Sequence, residues 1–446
     1  MPRIAVPAAE SIAQLASPIQ GTRTDYDPLL RQIGEARLVL LGESSHGTHE
    51  FYHQRIRITK RLIEELGFNA VAIEGDWPDA YRVNRYVRGQ GQDADAEQAL
   101  AGFRRFPGWM WRNHEVRDFV TWLKARNEAV RGEQTAAGFY GLDLYSLHAS
   151  IEAVLDYLDR VDPPAAARAR NRYRCFESFG ADPQDYGYLA GLELSQSCED
   201  EVVRQLLDLQ GRRDQLIQQD GLVARDDYFY AEQNARVVQR AERYYRTMFR
   251  GQVSSWNLRD NHMANTLDAL RDHLEREAGE ARIVVWAHNS HVGDARATEL
   301  GGAGELNLGQ LARVRHDEEA VLIGMSTYAG TVTAAREWGA APEQRRVRPA
   351  VPGSYEELLH EVGVPRMLID LRDEQAAEVL HPERLQRAIG VIYRPETERQ
   401  SHYFFAHLAD QFDSLIYWDT TRALVPLERT ASWERGEVYE TFPTGI

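Results

Sequence analysis

Acids and imidazoles gather at four short places in this chain. They are Gly42-Glu43-Ser44-Ser45-His46-Gly47, then Glu74-Gly75-Asp76, then Asp143, then His288-Asn289-Ser290-His291. Each follows directly on a run of apolar residues. Carboxylates and imidazoles drawn into one cleft perturb one another's ionisation, which is the usual setting for general acid–base chemistry. Three chemistries compete for these residues. His49-Glu50-Phe51-Tyr52-His53 fits the H-E-x-x-H zinc pattern, with its histidines one helical turn apart. However, Ile56 stands where the metzincin extension needs Gly, and a strand rather than a further ligand-bearing helix follows. Gly42-Glu43-Ser44-Ser45-His46 is one residue short of the G-x-S-x-G nucleophile elbow. His46 occupies the position that must be small, and Ser44 and Ser45 read more simply as helix N-caps. The third chemistry uses several strand ends at once: a water activated by His46, Glu74 as its proton-sharing partner, and His288 or Arg55 receiving the oxyanion. A positioned base contributes about 10²–10⁴-fold and an oxyanion donor about 10²–10³-fold.

The elements that must position these groups are short runs rich in Val, Ile and Leu, alternating with helical segments. The runs cover 37–41, 70–73, 138–142, 282–287, 320–325, 366–371, 389–393 and 414–418. Strands buried on both faces read this way, and the alternation predicts an α/β fold with a largely parallel central sheet flanked by helices. In such sheets ligands bind beyond the carboxyl ends of the strands, which is where the four polar clusters fall. Residues 148–280 offer no strand. Helices expected over 151–160, 199–219, 227–249 and 257–277 read as a helical-bundle insertion between core halves 1–147 and 281–446. Its breaks fall at Asp162-Pro163-Pro164, at 180–183 and at 251–255, while 301–304 and 339–353 read as loops.

Composition narrows the class. With 52 basic and 68 acidic side chains the formal charge is −16, which excludes a nucleic-acid binder working through a basic surface. The start of the chain lacks a secretory signal and no apolar run is long enough to span a bilayer, so no membrane partner is expected and the cytoplasm is the expected place. Cys175 and Cys198 are too few for a disulfide framework and are expected as thiols in a reducing compartment, a single bridge being the alternative. Lys60 and Lys124 are the only lysines; the arginine excess reads as compositional bias.

The motifs themselves resemble a known family. Leu41 to Phe51 (LGESSHGTHEF), Val71 to Tyr86 (VAIEGDWPDAYRVNRY), Trp256 to Ala264 (WNLRDNHMA) and Trp286 to Val292 (WAHNSHV) are similar to the erythromycin esterase family. So are Gly108–Trp111, Gly141–Tyr145, Ser401–Phe404 and Gln411–Asp413, a likeness running from about residue 20 to about 430. The resemblance implies hydrolysis of a macrolide lactone by an activated water. It carries essential positions onto Glu43, His46, Arg55, Glu74 and His288, with His291 beside them: His46 as base, Glu74 supporting it, Arg55 orienting a carboxylate or the ester oxygen. It tells against zinc chemistry at His53, implies no cofactor and leaves a divalent metal open. The expected partner is a small-molecule ester or lactone, and the protein a monomer or homodimer. Specificity is expected in the insertion and loops, with Asp76, Trp77, Tyr81, Trp109, Trp111, Asp143, Tyr145 and Arg259 as candidate substrate-binding residues and core packing as the alternative for the aromatic ones.

Overall fold

The computed structural model describes residues 8–131, 136–179, 183–191, 197–220, 224–248 and 252–435. Its strands are β1 (Ser17–Pro18), β2 (Leu38–Leu41), β3 (Ala70–Asp76), β4 (Gly138–Asp143), β5 (Ile283–Trp286), β6 (Ala320–Ala334), β7 (Glu343–Val347), β8 (Arg366–Asp370), β9 (Arg384–Arg387), β10 (Tyr403–Ala406) and β11 (Ser414–Thr421). The central sheet runs β1-β8-β11-β6-β2-β5-β3-β4, with β7 pairing the outer half of β6. From β11 to β4 every neighbour is parallel. β8, β1 and β7 pair antiparallel at the margins. The fold is therefore the expected mixed α/β sheet flanked by helices.

Alternation along the strands explains the apolar runs. Val39, Leu41, Val71, Ile73, Val284 and Trp286 point to one face, where the helices His49–Glu65, Trp77–Val87 and His114–Ala129 cover them. Leu38, Leu40, Ala70, Ala72, Ile283 and Val285 point to the other. There the helix Gln252–Ala278 lays down Met263, Leu267, Leu270 and Leu274, a stripe at helical spacing. The helices between Leu147 and Thr247 share a separate buried cluster that includes Val154, Leu158, Leu209 and Val238. Of the breaks expected from the sequence, 180–182 and 251 lie outside the described residues, as does the end of the 227–249 helix.

Three expectations are corrected. The run 389–393 forms no strand; it makes isolated bridges from Ile389 to Ser45 and from Ile392 to Ala335, so it braces two loops instead of joining a ladder. The expected loop 339–353 contains β7, whose polar sequence survives because it pairs on one side with β6. Cys175 and Cys198 form a disulfide, since the turn Arg174–Phe179 packs beside the start of the helix Glu199–Gly211 and brings their Cα atoms to 5.8 Å. No described helix is long and apolar enough to cross a membrane.

Candidate active site

The order β2-β5-β3-β4 makes the four polar clusters neighbours, although their strands are far apart in sequence. Their carboxyl ends open into a cavity of about 620 Å³ lined by His46, Glu74, Asp76, Asp143, His288 and His291 together with residues from several other segments. A cavity of that size suits a sizeable small molecule.

The β2 turn is held by close backbone approaches. A Cβ on Gly42 would meet Asn289 Oδ1 at 2.1 Å, and one on Gly47 would meet the Thr333 carbonyl at 1.8 Å. Ile389 N–H donates to the Ser44 carbonyl at 2.7 Å and Asn289 N–H to the Glu43 carbonyl at 2.8 Å. His46 Nδ1 lies 3.1 Å from Glu43 Oε1. A carboxylate can only accept, so Nδ1 carries the proton and Nε2 keeps its lone pair. No hydrogen bond occupies Nε2; the nearest acid, Glu74 Oε1, is 3.9 Å away. Arg55 lies behind Glu43, with Nη2 3.0 Å from Oε2, fully buried and packed over the rings of Tyr52 and Trp286. It does not line the cavity, so the expectation that Arg55 meets the ester oxygen or a substrate carboxylate is corrected: the helix His49–Glu65 points it into the core, where it balances Glu43.

Glu74 is also committed. Its Oε2 accepts the backbone N–H of His288 at 2.9 Å and its Oε1 accepts from Arg259 Nη2 at 2.7 Å. Burial works against its charge, yet His291, Arg259 and His46 hold it well below the usual carboxylate range. Arg259 also forks onto Asp143, through Nε at 3.0 Å and Nη2 at 2.7 Å. Arg259 and Asp260 come from the first described turns of the helix Gln252–Ala278, and Asp260 Oδ1 lies 2.9 Å from His291 Nδ1. His291 Nε2 stands 3.3 Å from Glu74 Oε1 and 2.9 Å from Arg259 Nη1. A neutral ring there would accept from Arg259; a protonated ring donates to Glu74. Burial favours the neutral ring, but Asp260 and then Glu74 outweigh it and raise His291 to about 9.

His288 behaves in the opposite way. Its Nδ1 accepts the Ser290 backbone N–H at 3.2 Å and lies 2.8 Å from the Ser290 hydroxyl, which leaves the proton on Nε2, buried beside the Ser44 backbone. Burial, reinforced by His46 at 4.8 Å between ring centres, pushes it down to about 3. His46 and His288 thus face each other as a ring whose Nε2 has no hydrogen bond and a neutral ring.

The aromatic candidates divide. Trp111 and Tyr145 line the cavity, and Asp76 lines it while forking onto Arg105 at 2.9 and 3.1 Å. Trp77, Tyr81 and Trp109 do not line it. Trp77 packs among Tyr140 and Phe229, Tyr81 stacks on Tyr230 at 4.0 Å, and Trp109 is buried with Val116 and Phe119. They face the apolar side of their helices, so core packing accounts for them.

Sequence reasoning passed over Arg105, Asp79, Glu305 and Trp338, which line the cavity. Asp260, which the sequence offers together with Arg259 as a site residue or as its structural ion-pair partner, does not line the cavity and instead holds His291. Arg105 carried no local signal, since its partner Asp76 comes from another strand end. Asp79 is raised to about 7 by burial and by Asp76.

The H-E-x-x-H residues are spent elsewhere. His49 and His53 stack on each other, His49 Nδ1 bonds Glu115, and Glu50 holds Arg422 at 2.9 Å. Ser45 Oγ bonds Thr48, and neither Ser44 nor Ser45 bonds a histidine. Among the described residues, three metal-ligating atoms converge within 4.8 Å at one place, His381, His407 and Asp410, none of which lines the cavity.

Residues 63–421 match the family described as erythromycin esterase. The chain belongs to the erythromycin esterase family. An erythromycin esterase type II from Escherichia coli is 24% identical over 410 residues, covering 88% of this chain and 91% of that protein. A putative hydrolase from Bacillus subtilis is 21% identical and covers 92% and 89%. These relatives support a hydrolase. Among solved structures, a protein from Bacillus cereus superposes with a TM-score of 0.77 at 20% identity, over 94% of this chain and 98% of that one. An erythromycin esterase mutant in its open conformation superposes with a TM-score of 0.66 at 18% identity, over 92% and 97%. The family fold is thus shared across nearly the whole chain.

Proposed function

We propose that the chain hydrolyses a carboxylic ester, a large-ring lactone of the macrolide type, with water as the nucleophile. The observation that carries this reading is His46, whose Nδ1 is held by Glu43 while Nε2 faces the cavity without a hydrogen bond. His46 Nε2 takes a proton from water as the oxygen attacks the carbonyl carbon. Glu43, and Glu74 at 3.9 Å, stabilise the imidazolium so formed. The positive charge shared by Arg259 and His291 faces the developing oxyanion, and the neutral His288 ring stands beside His46. When the tetrahedral intermediate collapses, the acyl C–O bond breaks and His46 returns its proton to the leaving alkoxide. A lactone becomes one hydroxy acid, heavier by one water. In the β2 turn the Ser45 hydroxyl pairs with Thr48 and the Ser44 hydroxyl bonds no histidine, which favours water over a serine nucleophile from that turn.

The test is a panel of macrolides and simple esters, followed by the mass gain of one water, with and without a chelator. His46→Ala should lower turnover about 10²–10⁴-fold while the protein stays folded. Full activity in a folded His46→Ala variant would remove the base from this scheme. Activity lost instead in His53→Ala and on chelation would move the chemistry to the H-E-x-x-H helix.

A further inference from the structure

We propose that His381, His407 and Asp410 form a binding site for a divalent transition-metal ion, separate from the catalytic cavity. One imidazole nitrogen from each histidine and one Asp410 carboxylate oxygen lie within 4.8 Å of one another. Two imidazoles and a carboxylate are a borderline donor set that suits zinc and its neighbours rather than magnesium or calcium. His381 Nδ1 is already 3.2 Å from Asp410 Oδ2, and the two rings stack at 5.1 Å between centres. His407 Nδ1 lies 2.8 Å from the backbone carbonyl of His381, so it donates there and Nε2 keeps its lone pair. A carbonyl that fixes the tautomer in this way is the support that metal-ligating histidines ordinarily have.

The scaffold beneath the cluster is rigid. His381 follows the helix Glu374–Leu380, and His407 precedes the short helix Leu408–Gln411. The buried hydroxyl of Tyr355 joins the two segments. It lies 3.1 Å from the Leu380 carbonyl, 2.8 Å from that of Pro382 and 3.0 Å from that of Ala406, and accepts the Leu408 N–H at 3.0 Å. These four residues flank the two histidines on either side, so the backbone around both ligands is set before any ion arrives. Preorganisation of this kind lowers the ordering cost of binding. The side chains of His381 and Asp410 remain more than half exposed. Three protein ligands therefore leave room for water in the fourth position of a tetrahedral ion. A bound ion would tie the end of the Glu374–Leu380 helix to β10, whose Tyr403 and Phe404 line the cavity.

Calorimetric titration of untagged, metal-stripped protein with Zn²⁺ tests this, with Mg²⁺ as the control. One equivalent of zinc should bind and raise the melting temperature, and magnesium should do neither. His381→Ala and His407→Ala should each weaken zinc binding at least about 10–100-fold, the cost of disturbing even a ligand's support. The double variant His49→Ala/His53→Ala should bind zinc like the wild type. Co²⁺ added to wild-type protein should give the visible bands of a low-symmetry site, a reading that needs no variant to fold. Failure of wild type to bind zinc, or stoichiometric binding that survives both histidine substitutions and is lost with His49 and His53, would overturn the assignment.

Discussion

Two histidines on opposite sides of the cavity share one device and differ in one atom. His46 at the end of β2 and His291 beyond β5 each rest Nδ1 against a buried carboxylate, Glu43 at 3.1 Å and Asp260 at 2.9 Å. The difference lies at Nε2. For His291 it is enclosed by Glu74 and Arg259; for His46 it has no hydrogen bond and faces open cavity. A carboxylate on Nδ1 orients a ring and sets its tautomer, but what surrounds Nε2 decides whether the ring can move a proton or only hold a charge. The charge behind each carboxylate differs as well. Glu43 leans on Arg55, a buried guanidinium 3.0 Å from its Oε2, whereas Asp260 Oδ1 accepts the Leu308 backbone N–H at 2.9 Å.

The largest break in this comparison is expected at Glu43. Glu43→Gln leaves Arg55 buried without its counter-charge, which costs about 3–5 kcal/mol of stability, and loosens His46, which costs about 10–100-fold in turnover. The double variant Glu43→Gln/Arg55→Met separates the two effects. It should regain most of the melting temperature, because the unpaired charge is gone, and none of the turnover, because the ring is still unsupported. Recovery of both would mean that Glu43 acts only as the partner of Arg55.

The next expected effect is a pH window. His291 is raised to about 9 in the folded protein, against about 6.5 for a free histidine. Its stabilising contribution is therefore fully present below about pH 6.5 and is lost as the pH rises through 9, up to about 3 kcal/mol in all. Asp79, raised to about 7, titrates in the lower part of that range and leaves its upper half to His291. Melting temperatures measured from pH 7.5 to 9.5 should fall in the wild type and stay flatter in His291→Asn. A His291 resonance titrating below about 6 would instead show a neutral ring accepting from Arg259.

Legibility followed burial geometry. β2, β3, β4 and β5 were readable because both faces of the sheet are covered and their residues are mostly apolar or small up to the acids at the carboxyl ends of β3 and β4, and the strand-end rule then placed His46, Glu74, Asp143 and His288 in one cleft. The run 389–393 has the same apolar character but only isolated bridges, so hydrophobicity without a continuous neighbour misled. β7, Glu343 to Val347, is polar because its partner lies on one side only. Within the site, the residues held by long-range pairs were the illegible ones. Nothing near Arg105 in sequence points to Asp76, and nothing near Arg55 says that its helix turns it inward to Glu43. The aromatic residues did not sort from sequence: a tryptophan reads the same whether it faces the cavity, as Trp111 does after the turn Gly108–Met110, or the core, as Trp77 does.

The smallest expected effect sharpens the contrast between the two histidines. Trp256 stacks face to face on His291, at 4.5 Å between ring centres and 8° between planes, whereas His46 meets His288 at 48°. An indole face attracts a cation, by about 2 kcal/mol when both are shielded from water, and attracts a neutral imidazole much less. The stack therefore favours the charged ring beyond what Asp260 and Glu74 supply. Trp256→Leu keeps His291 covered while removing the π face, so its titration midpoint should fall by about one pH unit. The opposite outcome, a midpoint that rises, would mean that water admitted by the smaller side chain solvates the imidazolium better than the indole does. In that case the charge on His291 would rest on its two carboxylates alone.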